Sequence, residues 1–307
     1  MRRSEIIIPP RLDFDRLRRI ASSWPHDVEH ITLNMRRQKW VYPIGTTGLS
    51  CLVAGSILRG QNVCFDTDGC QNLGYWGRMG FFENFGLYDL GKQGQSRAPQ
   101  GRFSVIRRVT PDTDNDRIAH EIVQVQQANA EAYQIFQHIV SEALNNISQH
   151  STAEGFTASQ YYDSQGRSAF CIADHGCGLR TALRRFDLSD DAEAIRKALE
   201  AGVSGRSRTQ QLAEPEQMRN RGVGLSIIRQ LIVKNGGQLR IWSGSAAYTE
   251  EGNEIEVRSV TPWNGTLLSA ILPRDRIMAP FDEIATEIMS ELRRRDRERP
   301  RRVGRLR

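Results

Sequence analysis

The chain has 307 residues, 39% of them hydrophobic and 25% charged, with a formal charge of +6. That length suggests two domains, since single cores usually stop growing below it. No apolar run approaches the roughly 20 residues of a membrane-spanning helix, and the opening MRRSEIIIPP is too short and too broken by proline for a secretory signal. A soluble, cytoplasmic protein is expected.

The charge is uneven. From Arg293 to Arg307 nine arginines face only Asp296 and Glu298, a local balance of +7 that leaves residues 1–292 at −1. Such a tail suits nucleic acid, an acidic partner or an anionic membrane surface, or it is simply solvated. Cys51, Cys64, Cys70, Cys171 and Cys177 form no C-x-x-C pair and match no common zinc spacing, so reduced structural thiols are expected. His26 and His30 lack the neighbouring metalloprotease glutamate and read as surface histidines.

In chain order, residues 28–90 alternate strand and helix. VEHITLN and KWVY read as strands, TTGLSCLVAGSILRG as a helix closing at Gly60, NVCF as a strand and QNLGYWGRMGFF as a short helix. Gly86 to Lys92 spells G-x-x-x-x-G-K, but Gln93 stands where a phosphate-binding loop needs Ser or Thr. No dinucleotide G-x-G-x-x-G follows a strand either. GKQGQSRAPQGR, Gly91 to Arg102, reads as a linker and puts a domain boundary near residue 100.

From Ile118 to Ile147 apolar residues recur at helical spacing, giving one long or two consecutive helices that end in EALNNISQHS. At about 100° per residue, Glu142, Asn146 and His150 share one edge of the buried stripe formed by Val140, Ala143, Leu144 and Ile147. Polar groups there need partners. Either a ligand with a metal ion supplies them, or the side chains cap neighbouring strands. FTASQYYDSQGRSAFCIAD then reads as two strands joined through Ser-Gln-Gly. The second delivers Asp174 into a D-x-G-x-G turn with Gly176 and Gly178, suited to an exocyclic amine and a flat ring.

A helix starts near Asp190, with Glu193 as capping partner, and closes at Gly202. Residues 203–221 are polar and basic, a long loop of the functional kind. Gly222 and Gly224 open the apolar helix 225–235, whose free N–H groups and dipole form an anion site. Strands follow near QLRIWSG, EIEVR and TLLSAILP, the last preceded by Asn-Gly.

In this order the four motifs resemble the ATP-binding family shared by DNA gyrase, Hsp90, histidine kinases and the mismatch-repair protein MutL (GHKL), over roughly residues 118–273. The resemblance implies an α/β sandwich with a mixed sheet and helices on one face. Glu142 falls on the catalytic glutamate, Asn146 on the magnesium-binding asparagine and Asp174 on the adenine-reading aspartate. Gly176 and Gly178 complete the second box. Gly222, Gly224 and Leu225 match the phosphate box, Thr266 the last box, and 203–221 the ATP lid. His150 and Ser151 look like the H-S ending of the kinase branches.

The implied cofactors are ATP and Mg2+, and the implied activity is ATP hydrolysis or phosphoryl transfer to a Ser/Thr of a protein partner in signalling. A nucleotide-gated switch is the alternative, and a homodimer is compatible. His120 and Glu121 are adjacent, but no H-E-x-x-x-P phosphoacceptor pattern follows. The N-terminal unit resembles STAS domains, the fold of anti-sigma factor antagonists. Gly45, Thr46, Thr47, Gly48 and Leu49 occupy the segment that presents a phosphorylatable hydroxyl there. Gly45 replaces the aspartate, so the threonines are expected to cap the helix. The expected organisation is a STAS-like domain at 1–100, a GHKL domain at 101–280 and a basic tail at 281–307.

Overall fold

The computed structural model describes residues 2–91, 102–126, 129–150, 154–203, 224–274 and 278–298. The N-terminal unit runs β1 (Arg3–Ile7), β2 (Arg11–Leu12), α1 (Phe14–Ser22), β3 (His30–Asn34), β4 (Trp40–Val41), α2 (Pro43–Leu58), β5 (Asn62–Asp66) and α3 (Leu73–Arg78). The second unit runs β6 (Arg107–Val109), α4 (Asn115–Val125), α5 (Ala130–His150), β7 (Gly155–Tyr162), β8 (Arg167–Asp174) and α6 (Gly178–Ala182). It continues with α7 (Asp191–Ala198), α8 (Gly224–Lys234), β9 (Gln238–Glu251), β10 (Glu254–Pro273) and α9 (Phe281–Glu298). Among the described residues no helix is long and apolar enough to cross a membrane.

Strands β1, β3 and β5 form a parallel sheet in that order, and β2 pairs with β4 beside it. Helix α1 opens on Asp13, whose carboxylate accepts the Arg16 N–H at 3.1 Å, and buries Leu17 and Ile20. Helix α2 starts at Pro43, a position where the missing N–H costs nothing. Nearly every side chain from Pro43 to Ser56 is buried, which explains a run apolar all round rather than striped. Thr46 and Thr47 therefore lie inside the helix, fully buried, and do not cap it. Thr46 donates to the Pro43 carbonyl at 3.0 Å.

The second unit is built on a five-stranded sheet, order β6-β7-β8-β10-β9. The α/β sandwich is as expected, but this sheet, expected to be mixed, pairs antiparallel throughout its described strands. EIEVR and TLLSAILP, read as separate strands, are one strand, β10, that bulges between Ser259 and Thr266. On one face the unit's own helices pack through Ile122, Ile139, Leu144, Ile228 and Leu231. Helix α9 docks there too, burying Ile284 and Ile288, while Lys234 pairs with Glu287. Arg293 and Arg294 are exposed, and residues 299–307 lie outside the described residues.

The opposite face is also covered. Helix α2 lies across β7 and β8, and Phe156, Cys171, Ala173, Trp242 and Trp263 join the N-terminal core. The Cys51 thiol donates to the Ala173 carbonyl at 3.2 Å, and the Phe14 ring meets Trp242 edge-on at 6.0 Å.

Close approach of α2 depends on glycine. A Cβ on Gly45 would sit 2.5 Å from the Leu12 carbonyl oxygen, whereas one on Gly55 would meet only the Arg59 guanidinium, at 3.4 Å. Alanine gains about 1 kcal/mol of helix propensity at either position. At Gly45 the backbone clash outweighs it. Gly45→Ala is expected to destabilise by about 1–3 kcal/mol and Gly55→Ala to be neutral or stabilising, as read from urea unfolding midpoints.

Candidate nucleotide site

Strand β8 ends on Asp174, which is only 6% exposed. Its two carboxylate oxygens accept the Gly176 N–H at 2.7 Å and the Thr266 N–H at 3.2 Å, and its carbonyl accepts the Trp263 indole N–H at 3.0 Å. Gly265 comes so close that a Cβ would fall 2.3 Å from the Asp174 carbonyl oxygen, and its φ of +100° suits glycine alone. Ser243 on β9 ties the surrounding turns together. Its hydroxyl donates to the Gly265 carbonyl at 2.9 Å and accepts the Leu179 N–H at 2.9 Å.

Across the cavity, Glu142 and Asn146 stand one helical turn apart on α5, facing the first residue of α8. A Cβ on Gly224 would lie 2.6 Å from Glu142 Oε2 and 3.9 Å from Asn146 Nδ2, so any side chain here would push the Glu142 carboxylate aside. Burial raises the Glu142 carboxyl above its ordinary pKa. Asn146 Nδ2 is buried with no hydrogen-bond partner among the described residues. Because amide nitrogen and oxygen are assigned from their surroundings, this carboxamide can turn its oxygen to a metal ion or its N–H to a phosphate.

Asn146, Asp174, Gly178, Gly224, Leu225 and Thr266 line one cavity of about 100 Å3 that is partly open to solvent. Ile172, Leu179 and Leu268 give it apolar walls for a ring. Glu142 stands at its edge through Gly224, and Gly176 holds the Asp174 carboxylate instead of lining the space. Gly222, the expected lid 203–221 beyond Val203, Ser151 and the His150 side chain lie outside the described residues.

The residues present fit a magnesium nucleotide. The Asn146 carboxamide, its nitrogen without a partner among the described residues, and the N-terminus of an 11-residue helix face the apolar slot that ends at Asp174. Sequence reasoning passed over Ser243, Gly265 and Trp263. Only the Asn-Gly step before Thr266 carried a signal; Ser243 and Trp263 are recruited by strand pairing, which no local motif announces.

Replacing Asp174 by asparagine would set an amide N–H against a backbone donor. Asp174→Asn is expected to cost about 1–3 kcal/mol, visible as a lower unfolding midpoint without any nucleotide.

Glu142, Asn146, Asp174, Gly224 and Thr266 all fall within the stretch matched by a known family. A search of curated proteins returned no significant match. Residues 132–273 match the family described as histidine kinase-, DNA gyrase B- and HSP90-like ATPase, and a domain of that kind implies ATP binding.

Proposed function

We propose that the protein binds Mg-ATP in this cavity and directs its γ-phosphoryl to a hydroxyl nucleophile, water or a Ser/Thr side chain of a protein partner. The observation that carries this is the meeting of Glu142 and Asn146 with the start of α8 at Gly224, across from Asp174. Asp174 accepts the adenine amine while its backbone donors hold the carboxylate still. Leu179 and Leu268 flank the ring. The α8 N-terminus receives the phosphates, where free N–H groups and the dipole favour anions. Asn146 would hold a magnesium ion, which would supply neutralisation of phosphate charge.

Glu142 takes the proton of the attacking hydroxyl. Its raised pKa makes it a stronger base than an exposed glutamate. The N-terminal unit is read as a STAS-like regulatory domain, supported by its small parallel sheet and by α2 lying against the strand that ends in Asp174. That contact also favours a second reading, a nucleotide-gated switch with little turnover.

Glu142→Gln distinguishes the two. With γ-labelled ATP, an enzyme loses about 10²–10⁴-fold in label transfer while nucleotide affinity is retained; a switch shows no transfer in either form and keeps partner capture. The pH profile gives a second check. A base acts deprotonated, so turnover should fall as pH drops through the Glu142 pKa, with a midpoint above the ordinary 4.5. A midpoint at or below that value contradicts the assignment.

A further inference from the structure

A second cavity lies on the other side of β8, in the seam between the N-terminal unit and the sheet. It has a volume of about 230 Å3, and Trp24, Leu52, Gly55, Arg59, His175 and Trp263 are among its walls. Of these residues only Trp263, which donates to the Asp174 carbonyl, and His175, which follows Asp174 in sequence, touch the nucleotide site.

The seam is chemically lopsided. Trp24 gives its indole N–H to Ser56 Oγ at 2.8 Å, and Trp263 gives its own to the Asp174 carbonyl at 3.0 Å. What the two tryptophans leave for an occupant is apolar ring. At the mouth, the Arg59 guanidinium donates only to neutral oxygens, Ser56 Oγ at 3.0 Å and Gln61 Oε1 at 3.2 Å, and forms no ion pair among the described residues. His175 has both ring nitrogens closed to water and without a hydrogen-bond partner among the described residues.

Nearby carboxylates do not serve these groups. Glu154, whose field reaches His175, pairs with Arg108 at 3.3 Å, and Asp174 is taken up by backbone N–H groups. Burial holds His175 below its ordinary pKa, so it stays neutral near pH 7 and keeps one N–H donor.

We propose that this seam is a binding site for a small organic carboxylate with a planar apolar body, the carboxylate on Arg59 and the body against Trp24, Trp263 and the His175 ring. A guanidinium fork matches a carboxylate in two parallel hydrogen bonds, and the apolar walls exclude a bare inorganic anion. The site stands whether or not the front cavity holds a nucleotide.

The test uses the full chain with benzoate and phenylacetate as probes and benzamide and inorganic phosphate as controls, read by titration calorimetry and tryptophan fluorescence. At least one carboxylate should saturate at millimolar concentration or below, about tenfold more tightly than benzamide or phosphate. Arg59→Gln should weaken carboxylate binding about tenfold and leave benzamide unchanged, with Arg59→Lys recovering part of the loss. Gly55→Leu, which fills the cavity, should abolish binding while the unfolding midpoint holds. The proposal is overturned if neither carboxylate saturates, if phosphate binds as tightly as benzoate, or if Arg59→Gln binds as the unsubstituted chain does.

Discussion

Burial of β8 on both faces is the constraint from which the site follows. Phe170 and Ile172 point into the helical layer, while Cys171 and Ala173 point at α2 and the N-terminal core. Alternation along a strand makes this possible, because successive side chains leave on opposite sides. Burying a side chain the size of Phe170 or Ile172 contributes about 1.5–3 kcal/mol, and with Cys171 and Ala173 packed on the other side the strand is clamped by two cores. Asp174, at its end, inherits that rigidity. The backbone donors of Gly176 and Thr266 then fix the carboxylate itself.

The opposite wall depends on a smaller economy of space. The Glu142 carboxylate reaches the start of α8 over Gly224, where an added Cβ would displace it. The helix N-terminus favours a nearby carboxylate by about 0.3–1 kcal/mol, yet the Glu142 pKa is raised, so loss of water wins. The glutamate is thus kept basic in a place already shaped for anions.

Much of this was legible in the sequence, and the exceptions have physical reasons. The two helices before Glu142, the β7–β8 pair and the α7 cap by Asp190 onto the Glu193 N–H at 2.7 Å all follow from local pattern. Covering of the second sheet face was less legible, although SAFCIAD lacks the alternation of a strand with one wet side. So did the all-apolar α2, which needs a partner on every side. β1 and α1 passed unremarked: β1 is a short edge strand recognisable only through its parallel partner β3, and α1 shows its apolar stripe only once Asp13 is taken as a cap. Thr46 and Thr47 were misplaced because Pro43 starts the helix earlier than the Thr-Thr pair suggests. EIEVR looked like a separate strand because the bulges around Trp263 break the period of β10.

The central claim is that Asp174 reads a purine's exocyclic amine in a slot whose other end is closed by Asn146 and Gly224. Titration calorimetry of the full chain with magnesium, comparing ATP with GTP, tests it most directly. An acceptor at Asp174 predicts saturable heat for ATP and at least about tenfold weaker binding of GTP, which presents a carbonyl where adenine presents an amine. Equal affinity for the two nucleotides, or no heat from either, would contradict it.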